Sequence, residues 1–337
     1  MSTIAGAFTE TQLLNLRKFA DDMMFDDRIK NQFVPQIATL DAIQAAQTAT
    51  VLTGRSKVKD QTVEVMWSNF CDYSAEDNTT CVIGGTKSST NTVELAVTHE
   101  KVVNFTFDEA DFIDNEMDVM TEVAKGFIKA DKELVENFAQ YGVAQIDAFA
   151  GVNDFAGGKG TVVGTDTYIE STAWNAALVA YFQRCAILNK FGNPLYLSGN
   201  NLYEQIFVAN QRSGDSNGKG EAQLYSNLKM YFDLFNVDTI NTPTLKTYMI
   251  QIGALAMGNK YYNPEIPQVL DPFTRWRIPS RFVPNLWYDV FYKTVCTTND
   301  FVSHNFKVKM LVDIWNNPAG CNQTNTGVLS FICGDTP

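Results

Sequence analysis

TFDEADFIDNEMDVMTEVAKGFIKADKELVENFAQYG, residues 106–142, carries the pattern on which the reading of the whole chain turns. Apolar residues recur at Ile113, Met117, Met120, Ala124, Phe127, Leu134, Phe138 and Tyr141, in steps of three and four with one turn skipped. That spacing predicts a helix with one apolar stripe, its remaining surface filled by Asp, Glu and Lys. Thr106 with Glu109 reads as a capping box, and Gly142 as the left-handed residue just past the end. At the α-helical rise such an element is roughly 50 Å long, more than a compact domain of ordinary size requires. A spine of that length, with no catalytic constellation on it, points to an extended subunit that touches many neighbours.

Upstream, residues 9–28 predict a short amphipathic helix with Leu13, Leu14, Leu16, Phe19, Ala20 and Met23 on its apolar side. Pro35 interrupts the next segment, and the stretch to Thr48 reads as a helical or irregular arm. From Thr50 to Phe107 the period changes to two. Val63-Glu-Val65-Met-Trp67 and Val93-Glu-Leu95-Ala-Val97 alternate, with a Ser/Thr/Asn/Gly-rich stretch from Asp72 to Asn91 between them. This is a long two-stranded excursion, marginal by itself and in need of a surface to lie on.

Downstream, a glycine-rich connection at residues 155–161 leads to a helix capped by Ser171 or Thr172 and running from Trp174 to about Leu188. Next come a buried strand at Leu195–Ser198, a helix over 201–210, and strands through Met230–Phe235 and Thr247–Ile252. The last of these ends in the small-residue run from Gly253 to Gly258. Pro264, Pro267, Pro272, Pro279 and Pro284 argue against a long helix or a central strand and mark an irregular surface segment. Strands return at Trp287–Thr297 and Phe306–Ile314, with a polar tail from Asn316.

The chain has 337 residues, 45% hydrophobic and 19% charged, which supports a folded core and excludes wholesale disorder. A formal charge of −12 opposes binding along nucleic-acid phosphates, and no basic groove is visible in the sequence. It suits a soluble protein, or the inner wall of a container along which packaged DNA slides. No signal peptide or transmembrane stretch is seen. Six cysteines do not make a disulfide scaffold in a chain of this length. Cys71 with Cys81, and Cys321 with Cys333, are spaced so that they pair only in an oxidising medium; reduced, half-buried thiols are the plainer reading.

Chemistry finds little support. The two histidines, His99 and His304, lie far apart, and no Gly-x-Ser-x-Gly elbow or Cys-x-x-Cys pair accompanies them. Gly157-Gly-Lys-Gly160 lacks the ending and the helix of a phosphate loop and reads as a hinge. Asp21, Asp22, Asp26 and Asp27 resemble the paired magnesium-binding carboxylates of terpene cyclases, and Asn299-Asp300-Phe-Val-Ser303 resembles half of their second metal motif. The aspartate spacing is one residue off, Lys307 stands where a carboxylate is required, and those enzymes are all helix. The expectation is no enzyme, no cofactor and no metal site.

The order of elements resembles the Hong Kong 97-like major capsid protein of tailed bacteriophages. The resemblance implies an α+β fold with an N-terminal arm at residues 1–47 and an extended β-ribbon loop at 48–104. A peripheral domain with the spine helix (107–141) would take 105–165, an axial domain 166–260, and the return to the peripheral domain with the C-terminal tail 261–337. The implied function is a structural major capsid protein assembling through hexamers and pentamers into an icosahedral shell around double-stranded DNA, held without sequence-specific binding. Scaffold, portal and decoration proteins would be partners, no membrane would be involved, and assembly would take place in the bacterial cytoplasm before the protein resides in the virion capsid. Since the arm begins at Met1, the resemblance implies a separate scaffold or none. Lys57, Lys59 and Lys87 fall in the implied loop, where some members form a cross-link; no partner is singled out. Lys57, Lys59, Val63, Val65 and Trp67 are the candidate assembly contacts, the last three packing either on a neighbour or on their own subunit. An encapsulin-like compartment shell and a phage tail or surface-binding β-protein are the alternatives.

Overall fold

The computed structural model describes residues 8–24, 32–52, 61–68, 90–112, 119–157, 159–175, 178–199, 202–203, 229–237, 245–270, 272–296, 301–317 and 326–334. The chain opens with helix α1 (Glu10–Met23), which begins in a capping box: the Thr9 hydroxyl accepts from the Gln12 amide, and the Gln12 side chain accepts from the Thr9 amide. Leu13, Leu16, Ala20 and Met23 are buried, whereas Leu14 and Phe19 are each 40% exposed. Helix α2 (Ala38–Ala46) buries Leu40, Ala42, Ile43 and Ala46. Strands β1 (Thr50–Leu52), β2 (Thr62–Ser68) and β3 (Thr90–Ala96) form a small antiparallel sheet, and β4 (Glu100–Asp108) leaves it for the main sheet.

The predicted spine starts later and ends later than its stripe suggested. Thr106 is a β4 residue whose hydroxyl bonds the Asn305 side chain, because Val103, Phe105 and Phe107 alternate into the core as strand residues. A 3-10 turn at Glu109–Phe112 comes next, Ile113 and Met117 lie outside the described residues, and helix α3 runs from Val119 to Ala148. Gly142 is not its terminus. It is a buried helical residue where an added Cβ would stand 3.1 Å from Ile43 Cδ1 and 3.2 Å from Thr39 Cγ2, so the glycine lets α2 approach α3 closely.

Strands β5 (Gly160–Val163) and β6 (Asp166–Ile169), helix α4 (Leu178–Leu188), and strands β7 (Leu195–Ser198), β8 (Lys229–Phe232) and β9 (Leu245–Ile250) build a second unit. A 3-10 turn at Ser171–Ala173 occupies the expected cap of α4, and most of 201–210 lies outside the described residues. The small-residue run becomes β10 (Leu255–Lys260), and after it come β11 (Gln268–Leu270), β12 (Phe273–Pro279), β13 (Trp287–Cys296), β14 (Val302–Asn316) and β15 (Val328–Cys333). The proline-rich segment therefore contains a strand hairpin, with β12 inside the sheet. Its prolines are tolerated because Pro272 precedes the strand and Pro279 is its last residue.

The main sheet is antiparallel and runs β4, β14, β13, β12, β11. Leu311 pairs with Glu100 of β4 and with Lys260 of β10, so β10 continues the sheet on the β13 side of β14. Helix α3 covers one face of this sheet, closing a core around Phe127, Phe306, Trp276, Tyr288 and Met310. The second sheet runs β5, β6, β15, β9, β7, β8, with α4 packed on it through Phe182, Tyr196 and Phe331. Three strands cross the boundaries read from the sequence. β5, expected in the peripheral unit, pairs with β6; β10, expected in the axial unit, joins the main sheet; and β15, expected as polar tail, sits buried between β6 and β9. Val328–Cys333 is a short apolar strand hydrogen-bonded along both edges, which a solvated tail is not.

Candidate assembly surface

Val63, Val65 and Trp67 alternate along β2, so all three point to one side of the small sheet. They are 0%, 0% and 1% exposed, and they close a cluster with Ala49, Val97, Ala256 and Leu311 of the same chain. Of the two packings that the sequence left open, the structure shows the one against their own subunit. A ribbon needs a surface, and the main sheet supplies one where β10 carries no bulk. At Gly258 a Cβ would sit 2.6 Å from the Trp315 ring and 3.0 Å from Val51. Lys57 and Lys59 (and Lys87) lie outside the described residues.

Two buried carboxylates tie the N-terminal helices down. Asp131 falls on the buried side of α3 and is 0% exposed. It accepts from Ser280 Oγ (2.8 Å) and the Arg281 amide (2.7 Å). Arg281 donates from Nη1 to Tyr288 Oη at 2.8 Å, and its Nε lies 2.9 Å from Asp21 Oδ1 on α1, an ion pair. Loss of hydration pushes the Asp131 carboxyl up to about 6, against the opposing pull of the Arg281 contacts. Asp233, after β8, accepts from the amide and hydroxyl of Thr39 (3.2 and 2.6 Å) and from the Asn236 side chain, closing the first turn of α2. Near the far end of α3, Lys246 lies 2.6 Å from Asp147 and 3.2 Å from Asp166; burial works to lower its pKa, but the two carboxylates outweigh that and raise it.

Where α2, β1, β10 and the turn before β13 meet, a cleft of about 580 Å³ is lined by Gln44, Gln47, Val51, Asn259, Tyr261 and Trp287. Its amides are engaged within the chain: Gln44 donates to Pro284 O, Gln47 accepts from the Met257 amide, and Asn259 bridges Trp287 and Leu311. The cleft is a joint between elements, with no charged group among the described residues that line it.

Both histidines are packed against aromatic rings. His99 stacks on Tyr141 at 3.8 Å, and burial, then Lys101, lowers its pKa against the pull of Asp313. His304 is buried between Tyr292 Oη (2.8 Å) and Glu109 (3.1 Å), with Phe8 stacked on its ring. Cys185 and Cys296 are free thiols; Cys71, Cys81 and Cys321, and with them both expected pairings, lie outside the described residues. Among the described residues no group of three or more His, Cys, Asp or Glu side chains is placed to hold a metal ion. Asp21 of the acidic run is paired with Arg281, and Lys307 lies on an exposed sheet face. No described helix is long and apolar enough to cross a membrane.

No protein-family model and no curated protein matches the chain. Solved structures do resemble it. One from Mycobacterium phage Che8 matches with a TM-score of 0.45 at 11% identity, over 84% of this chain and 92% of that one. The capsid structure of cyanophage P-SCSP1u matches with a TM-score of 0.46 at 11% identity, over 87% and 88%. The mature capsid of bacteriophage PhiM1 matches with a TM-score of 0.43 at 9% identity, over 83% and 84%.

Proposed function

We propose that the chain is the major capsid protein of a tailed bacteriophage, a structural and non-enzymatic subunit with the Hong Kong 97-like arrangement. Copies gather into hexamers and pentamers and close into an icosahedral shell around double-stranded DNA. The observation that carries this reading is the plate formed by α3 and β14. The helix of 30 residues is about 45 Å long and the strand of 15 residues about 50 Å. The arm helices lie along this plate, α1 against Ala124 and Ile128 near the start of α3 and α2 against Gly142 toward its end; the ribbon base is seated on the other face, and the chain leaves the plate to build the second sheet before returning. A subunit that devotes so much chain to one long flat layer is shaped as a tile.

The polar clamps at Asp131 and Asp233 fit the same role. A shell subunit must hold its arm and its second unit at fixed angles if many modest contacts are to add by geometry into one closed curvature. The experiment is to express the chain alone, measure particle mass by light scattering, and image the large fraction by negative-stain microscopy. Closed particles tens of nanometres across, or discrete rings of five and six, are the expected result. A species that stays monomeric at every concentration, alone and with the other head proteins of its phage, would sink the reading.

A further inference from the structure

The face of the main sheet turned away from α3 is cationic, although the chain as a whole carries −12. Strand register sets its side chains in rows. Gln268, Arg275, Phe291, Lys307 and Asn104 are successive cross-strand partners, and Arg277, Asp289, Lys309 and Val102 form the adjacent row. Lys293, Asn305 and Thr106 make a third. The cations lie against aromatic rings. Arg275 is 5.7 Å from the centroids of Phe273 and Phe291, Lys307 is 5.9 Å from Phe291, and Arg277 is 4.3 Å from Tyr261 and 4.9 Å from Trp287. Lys309 is paired with Glu100 and Arg277 lies 4.0 Å from Glu265, while Asp289 is buried and holds the Tyr262 and Asn263 amides. Among the described residues no carboxylate is paired with Arg275, Lys293 or Lys307. Arg275 Nε is also buried without an acceptor, and Lys293 and Lys307 stand in solvent.

We infer that this face of one subunit docks on an acidic surface of a second copy of the chain, an inference that rests on the shell reading above. Charge selects the occupant. Copies that each carry −12 repel one another unless a basic area of one meets an acidic area of the next. Face against face is excluded, since it would set Lys293 and Lys307 of one copy against those of the other. A head-to-tail contact of the basic face with an acidic area generates a ring where its rotation closes and an open filament where it does not. Arginine and aromatic side chains presented together match the composition of protein interface cores.

The test is the double variant Lys293→Glu with Lys307→Glu, compared with the native chain by sedimentation at low and high salt. Both side chains are solvent-exposed and unpaired, so the urea midpoint is expected to stay put; Lys293→Gln with Lys307→Gln serves as a milder second variant. The expected result is at least a roughly tenfold loss of the assembled fraction in the Glu variant, a smaller loss in the Gln variant, and native assembly that weakens as salt rises. Native-like assembly of both variants would overturn the inference and leave the shell reading intact. Native-like assembly with loss of co-purifying DNA would overturn it in favour of a nucleic-acid face. A native chain that forms no assembly under any of these conditions, alone or with the other head proteins of its phage, would remove the shell reading, and the inference with it.

Discussion

The two faces of the main sheet are made by neighbouring residues of the same strands, yet they do opposite work. On one face Trp276, Val290, Val308 and Val103 are successive cross-strand partners, and the first three are at most 1% exposed beneath α3. One residue along each strand, Arg275, Phe291, Lys307 and Asn104 form the corresponding row on the other face. The period of two separates a core that holds the subunit together from a charged surface left for something else. The residues that hold the subunit together are thereby different from those of the charged face, and either set can be changed without the other.

The strongest break should come at the covered face. Trp276→Ala leaves a large cavity under α3 and is expected to cost about 3–5 kcal/mol, read as a drop in the urea midpoint. Next comes the buried carboxyl of Asp131 on α3. Burial raises Asp131 from 3.8 to about 6, so the folded chain holds this proton more tightly than the unfolded chain does. Its stabilising contribution is thus full below the unfolded value, declines above it, and is lost as pH rises through about 6, an effect on the order of 2–3 kcal/mol across that window. Urea titrations at pH 4.5 and pH 7.5 should show that Asp131→Asn removes this slope; an unchanged slope would mean Asp131 does not titrate there. At the seat of the ribbon, Gly258→Ala forces the Trp315 ring and Val51 aside, an overpacking cost of about 1–3 kcal/mol, with a shift in tryptophan emission. The open face should be the most tolerant: Lys307→Ala is expected to change the urea midpoint by no more than about 0.5 kcal/mol. A large loss there would erase the contrast between the faces.

The range of each interaction decides how much of it is legible in the sequence. The stripe on α3 and the alternation on β2, β3 and β13 are local, and they placed most of the long elements. Thr106 was misplaced because its capping pattern is local too, while the pairing of β4 with β14 that overrides it joins residues about two hundred positions apart. The same holds for β15, five apolar residues and a serine in a polar stretch, whose identity as a strand comes from β6 and β9. Asp131 left a trace, an acidic residue within the apolar stripe between Phe127 and Leu134, four residues beyond the first and three before the second. That position on a buried face calls for a partner. The cationic face left none, since Arg275, Lys293 and Lys307 are scattered over three strands and become neighbours only through register. Val63, Val65 and Trp67 showed the converse: alternation marks a buried face but does not say whose surface buries it.

The most direct measurement of the central claim is the mass of the purified chain by sedimentation velocity across a wide concentration range at low salt. The shell account predicts discrete species of five and six subunits or closed particles, with little material between them and the monomer. A single monomeric boundary throughout, unchanged when the other head proteins of its phage are added, would contradict it.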